Sequence, residues 1–328
     1  MAAQYSVQWY DFCQHYLTFG TLFKMCDTSQ GLLFQSDDPL KIALQDLWSG
    51  NCVMRSNRAK LLLQHHEYQD WKNVLVWPSL QHVGNTSWTC SFRVTDVSGS
   101  IVLALVETTM VATDDTFTKS QPISSESKSL MISLMQEKQQ PSNHPHPVRL
   151  GRVSFSSWNN EESGVDDSVP FRYQRSVRVT DCDKLNHVNN AIYGVLAEET
   201  RLYAGSLSKY GSDDSKRASL QAFECQISYI GQAHPFEMMD IETWSCPRST
   251  TSRKRSGGDG GGDGGGGGGG GDGGGGGGDD DGESTDYRTD FFVNGEIVTR
   301  TTLTVGSFKD GTVLNDQSNR EISKRQKL

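Results

Sequence analysis

The 328-residue chain has no long apolar run. Its longest, Ile101 to Val106, is far short of the roughly 20 residues a helix needs to cross a bilayer, so no membrane span is expected. Met1 to Tyr5 carry neither a basic stretch nor an apolar one, so no secretory signal is expected there. The seven cysteines form no C-x-x-C pair and share no spacing with histidine. That argues against a zinc site or a disulfide frame. It fits a reducing compartment: the cytoplasm, or a peroxisome or plastid if the N-terminus is incomplete. The loose likeness of Gln326-Lys327-Leu328 to a peroxisomal address is a weak signal. Basic residues are in deficit, 31 against 40 acidic, for a net charge of −9. Nucleic acid is therefore not expected as a partner. No strand leads into a G-x-G-x-x-G or G-x-x-x-x-G-K turn, so nucleotide cradling of that kind is unsupported.

What the chain does have is an acid- and Asn-rich turn between a strand and a helix. Phe171 to Thr180 alternate like a strand. Ala191 to Tyr203 carry an apolar stripe at helical spacing, Ile192, Val195, Leu196 and Leu202. Between them lie Asp181-Cys182-Asp183-Lys184-Leu185-Asn186-His187-Val188-Asn189-Asn190. A helix start presents unpaired amides and partial positive charge, which favour oxygens and developing negative charge. Asp183, His187 and Asn189 thus stand where a carbonyl can be bound and attacked. The plainer alternative is that Asn189 and Asn190 only cap the helix and Asp183 only supports its dipole.

This run, D-x-D-x-x-x-H-V-N-N-x-x-Y, followed by Glu198-Glu199-x-Arg201, resembles the hotdog-fold thioesterases, of the 4-hydroxybenzoyl-CoA and acyl-ACP types. The resemblance implies an α+β fold in which a curled antiparallel sheet wraps a long central helix, with no cofactor and no metal. It implies an acyl-CoA or acyl-ACP thioester as substrate. Asp183 would attack or activate water, with His187 and Asn189 as its catalytic neighbours and Asn190 and Tyr193 as substrate-binding residues. In plant-type acyl-ACP thioesterases an Asn follows that Asp by two positions. Here Leu185 stands there and Asn186 is one step late. A non-catalytic acyl-thioester binder or scaffold, and a hotdog dehydratase, are the competing readings. Cys182 and Cys225 are alternative nucleophiles without a sequence partner.

The same pattern has an echo near the start. Asp11 and His15 precede Asp183 and His187 by 172 positions, and Tyr16 onward reads as a helix, with Leu17 and Thr18 where Asn189 and Asn190 stand. Val7 to Tyr10, Leu61 to Tyr68, Val74 to Leu80, Thr89 to Thr95 and Ile101 to Ala112 read as strands. Phe34 to Arg58 have no counterpart later, and Pro39 onward suggests a short helix. Thr301-Thr302-Leu303-Thr304 echo Thr108-Thr109-Met110-Val111. The chain is therefore expected to hold two tandem hotdog units: 1–120, degenerate and N-terminally short, and 169–310. A polar connection spans 121–168 and a polar tail 311–328. Paired units in one chain would make an intrachain pseudo-dimer; further association between chains is left open. Residues 247–286 hold twenty of the 34 glycines and are expected to be a disordered insert between paired strands, since they cannot bury enough apolar surface to order themselves. Beyond it, Asn294-Gly295 predicts a tight hairpin turn. His65, His66, His82 and the His144-Pro145-His146-Pro147 stretch are read as surface or linker residues rather than metal ligands.

Overall fold

Among the described residues ten strands, most of them alternating buried and more exposed positions, pair into one antiparallel sheet. The computed structural model describes residues 3–6, 12–13, 16–35, 52–62, 73–114, 119–137, 169–183, 185–247 and 284–306. In chain order the elements are β1 (Ala3–Ser6), β2 (Phe12–Cys13), β3 (Tyr16–Leu17), α1 (Phe19–Gln35), β4 (Cys52–Leu61), β5 (Asn73–Val83), β6 (Ser87–Thr95), β7 (Val102–Ala112) and α2 (Ser125–Glu137). There follow β8 (Phe171–Ser176), α3 (Asn190–Ser206), α4 (Ser212–Arg217), β9 (Ala222–Tyr229), β10 (Met238–Pro247), β11 (Thr285–Val293) and β12 (Glu296–Val305). The sheet order is β1-β5-β6-β7-β4-β9-β12-β11-β10-β8, with β2 and β3 forming a separate ribbon. The first five strands of that order come from the first half of the chain and the last five from the second. Counted outward from the β4–β9 junction, the two sets run in the same order. β7 and β12, which carry the echoing threonine runs, take equivalent places.

The halves meet where β4 pairs with β9, from Ser56 opposite Ser228 to Lys60 opposite Glu224. Helices α1 and α3 pack on each other and on the sheet, α1 against β4, β5 and β7 and α3 against β9, β10 and β12. Both therefore lie on one face. A single apolar core runs through both halves, from Phe19, Leu22 and Phe23 to Tyr287, Phe291 and Leu303.

The helices approach closely because each carries a glycine at the crossing. A Cβ on Gly20 would lie 2.2 Å from Val195 Cγ2 and 3.0 Å from the Ala191 carbonyl oxygen; one on Gly194 would lie 3.3 Å from the Gly20 nitrogen. Overpacking a well-filled contact typically costs about 1–3 kcal/mol. Gly20→Ala is expected to lower the unfolding free energy from urea titration by that amount, shifting the midpoint down, and Val195→Ala in the same chain to recover most of it. An unchanged midpoint would mean the helices slide apart freely.

Several elements differ from expectation. Most of the strand expected at Leu61 to Tyr68 lies outside the described residues, and the strand that ends at Leu61 is β4, Cys52–Leu61, which begins inside the segment read as having no counterpart. It escapes periodicity because its buried positions include Asn57 and Lys60; Asn57 is satisfied by side chains from β7 and β9. Tyr16 and Leu17 are extended, paired with Cys13 and Phe12, and the helix begins two residues later, at Phe19. β8 stops at Ser176 and a 3-10 turn, Val179–Asp181, follows. Among the described residues β8 pairs only with β10, and Val179 and Tyr173 are exposed. In the connection, the helical turn or two that Leu130 to Met135 suggest is part of a longer helix, α2, anchored by buried Ile123 and Met131. The strands flanking the glycine tract reach further in than expected, with Cys246 opposite Asp286 and Pro247 opposite Thr285. Residues 248–283 within the tract, the helix expected after Pro39, Val7 to Tyr10, Asp11, His15, His65, His66, the His-Pro stretch and the tail lie outside the described residues. Asn294 and Gly295 adopt φ of 53° and 80°, the left-handed pair that a two-residue hairpin of this kind requires.

Candidate active site

The turn between β8 and α3 is held by its own backbone before any side chain matters. Asp183 and His187 close it through an Asp183 N–H bond to the His187 carbonyl (3.0 Å), and the Asn186 N–H bonds the Asp183 carbonyl (3.0 Å). Asn186 takes φ 64°, a conformation Asn tolerates better than most residues. The turn is tied to the body at two points, through Ala233 and His234, and closed on itself at a third. The Val188 N–H donates to the Ala233 carbonyl and the Asn189 N–H to the Asp181 carbonyl, each at 2.8 Å. His234 Nδ1 lies 3.0 Å from the Asn186 carbonyl oxygen. Asp181 does not face the turn: its carboxylate accepts from Arg175 and from the Arg178 N–H.

Asp183 is half-buried. Its Oδ1 accepts the Leu185 N–H at 2.8 Å, and its Oδ2 lies 3.5 Å from His187 Nδ1. One oxygen is thus fixed by backbone, while the other sits beside an imidazole at a distance longer than a good hydrogen bond. Asn189 is the N-cap of α3, its Oδ1 accepting the Ala191 N–H at 2.9 Å. Asn190 is the first helical residue. Its carbonyl accepts from the Tyr229 hydroxyl (3.1 Å), which accepts from Asn57 Nδ2 (3.1 Å), whose Oδ1 accepts from Thr108 (2.7 Å). A buried polar chain thus links β7 and β4 of the first half to the start of the second half's helix. Tyr193 is buried, its ring edge-on to Phe291 at 5.1 Å and near Tyr229 at 6.0 Å. It packs the helix onto the sheet.

The structure therefore gathers Asp183, His187, Asn189 and Asn190 within one turn and one helix start, with Tyr193 beneath. Neither cysteine is prepared as a nucleophile. Burial and the charges of Asp181 and Asp183 raise the Cys182 thiol. Burial, then Glu198 and Glu224, raises that of Cys225 well above its usual range. His82 lies exposed on β5.

Two further acids lie on the crossing helices: Asp27, which motif reading did not single out, and Glu198, which it quoted only at the motif's end, without a role. Asp27 lies on α1, four and eight residues beyond Phe23 and Phe19. Burial, with the nearby Asp183 charge, pushes its carboxyl up to about 7. Glu198 is buried on α3 and accepts the Phe19 N–H at 3.0 Å. Burial lifts its carboxyl to about 7 against the opposing pull of Arg201 and that amide. The available signal was an acid on an otherwise apolar helical stripe, since Phe19, Phe23 and Asp27 recur at four-residue intervals.

Among the described residues no helix is long and apolar enough to cross a membrane, and no three His, Cys, Asp or Glu side chains gather as a metal site. Long helices packed on one face of a large antiparallel sheet make an α+β fold of the hotdog type, and it is the fold of solved thioesterases. A putative oleoyl thioesterase from Lactobacillus plantarum matches 94% of this chain and 96% of its own at TM-score 0.56 and 13% identity. An acyl-ACP thioesterase from Bacteroides thetaiotaomicron matches 93% and 97% at TM-score 0.54 and 12% identity. A 12:0-ACP thioesterase from Umbellularia californica matches 94% and 97% at TM-score 0.55 and 12% identity. No family model and no curated protein matches the chain.

Proposed function

We propose that the protein hydrolyses acyl thioesters, releasing a carboxylic acid from CoA or an acyl carrier protein. The observation that carries this reading is Asp183: a half-buried carboxylate, oriented by the Leu185 amide, directly before the amides that open α3. In this reading two tandem hotdog units, 1–120 and 169–310, pair within one chain through β4 and β9. The thioester carbonyl oxygen sits at the start of α3, where backbone donors and the positive end of the helix dipole stabilise the developing oxyanion. Asp183 takes a proton from water, or attacks the carbonyl carbon itself. His187 holds water or the carboxylate in line, and Asn189 fixes the helix start that receives the oxyanion. The likeness to solved thioesterases supports the fold on which this chemistry would run; the assignment rests on the turn.

The test is release of free thiol from a panel of acyl-CoAs and acyl carrier proteins, from short to long chain, with binding followed in parallel by calorimetry. Saturable turnover on part of the panel is expected. Saturable binding with no thiol released would instead identify a non-catalytic acyl-thioester binder.

A further inference from the structure

Helices α1 and α3 are related by a constant offset of 171 positions. Thr18 caps α1 by accepting the Thr21 N–H, as Asn189 caps α3, so the first helix keeps a polar cap. Asp27 then corresponds to Glu198. The helices cross at their glycines, and α1 passes from Phe19, bonded to Glu198, through Gly20 and Phe23 beside Gly194, toward the start of α3. Each acid thus projects at the start of the opposite helix. Their fates differ. Glu198 reaches the first amide of α1 and bonds it, which plugs that helix start. Asp27, one methylene shorter, stays half-buried near Asp183 and Tyr229, and Tyr229 holds the Asn190 carbonyl.

Building on the hydrolase reading, we propose that Asp27 and Asp183 form a charge-coupled carboxyl pair across the two helices, in which Asp27 carries the proton delivered to the leaving thiolate. Asp183 takes a proton from water. The new C–O bond forms at the thioester carbon, the C–S bond breaks, and the departing sulfur takes the Asp27 proton. The proton on Asp183 then passes to Asp27, restoring both groups, and the product acid ionises into solvent. Two like charges in one site cannot both form easily, so one proton stays with the pair at neutral pH. The titratable groups around Asp27 are Cys26 on its own helix, Asp183 with His187 in the turn, and Tyr229 on β9.

The pair has a readout that does not depend on turnover. In infrared difference spectra of the full chain, the protonated carboxyl band removed by Asp27→Asn should titrate near 7. It should move toward the ordinary carboxylate range in Asp183→Asn, where Asp27 itself is untouched. In wild type kcat/KM should fall as pH rises through that range. Asp27→Asn should lose about 10²-fold in kcat, in keeping with one general acid, and lose the alkaline fall as well. An Asp27 that titrates in the ordinary range, or an Asp27→Asn enzyme keeping both rate and profile, overturns the proposal. Wild-type protein that releases no thiol while the band still titrates near 7 and answers to Asp183 sinks hydrolysis and leaves the pair standing.

Discussion

Asp183→Asn is expected to lower thiol release by about 10³-fold or more while leaving the fold and acyl-thioester binding intact. General-base or nucleophilic assistance is typically worth 10² to 10⁴ in rate, and asparagine can neither take a proton at neutral pH nor attack. The turn itself should survive the change. The Leu185 N–H bonds a side-chain oxygen that asparagine retains, and the backbone bonds between Asp183, Asn186 and His187 do not involve the carboxylate. The loss should therefore fall on kcat, with KM moving little. Steady-state kinetics on the best substrate of the panel, beside circular dichroism, checks this. A variant within tenfold of wild type would remove Asp183 from the chemistry. A variant that loses ellipticity would show that the carboxylate serves the turn rather than a reaction.

The second large effect concerns stability. Asp290 on β11 is 2% exposed. Both of its oxygens are gripped, by Arg288 Nε and Nη2 at 3.1 and 2.6 Å and by Arg300 Nε and Nη2 at 2.8 and 3.0 Å. Burial alone would raise its pKa, but the two guanidinium groups outweigh burial and hold it below the usual carboxylate range. Asp290→Ala leaves two arginines facing each other over an empty site. Breaking a buried pair costs about 3–5 kcal/mol, and because both guanidiniums keep some contact with water the lower end is expected. Urea titration measures it. The pH dependence has a definite sign. A depressed carboxylate contributes stability above its unfolded-state value and loses it as pH falls through the folded one. The gap between wild type and Asp290→Ala should therefore be full near neutrality and close in acid. A constant gap from neutral to acid would mean that packing, not charge, is what the alanine removes.

The parts of the chain that announced themselves were those whose chemistry is local. Asn294-Gly295 sets a hairpin through its own backbone preferences. The Asp183 turn is spelled by residues that bond one another, and α3 shows its period because its neighbours are apolar. What stayed hidden depends on partners far along the chain. β4 has Asn57 at a buried position, and only β7 and β9 together satisfy it. Asp27 reads as an ordinary helical acid, and Glu198 as the end of a motif with no role of its own, until the two helices cross at Gly20 and Gly194. Tyr193 looked suited to substrate because it follows the motif, yet its depth beneath the helix is set by Phe291, almost a hundred residues later.

The β4–β9 junction has a consequence for how the molecule comes apart. Because these strands belong to one polypeptide, dilution cannot separate them, and their encounter is set by tether length rather than protein concentration. Should either half melt first, the survivor would bare a strand of eight to ten residues at its rim, the kind of template on which other chains add and fibres grow. Loss of the whole sheet in one transition avoids that exposure, so this seam places cooperativity and resistance to aggregation in the same five backbone pairings.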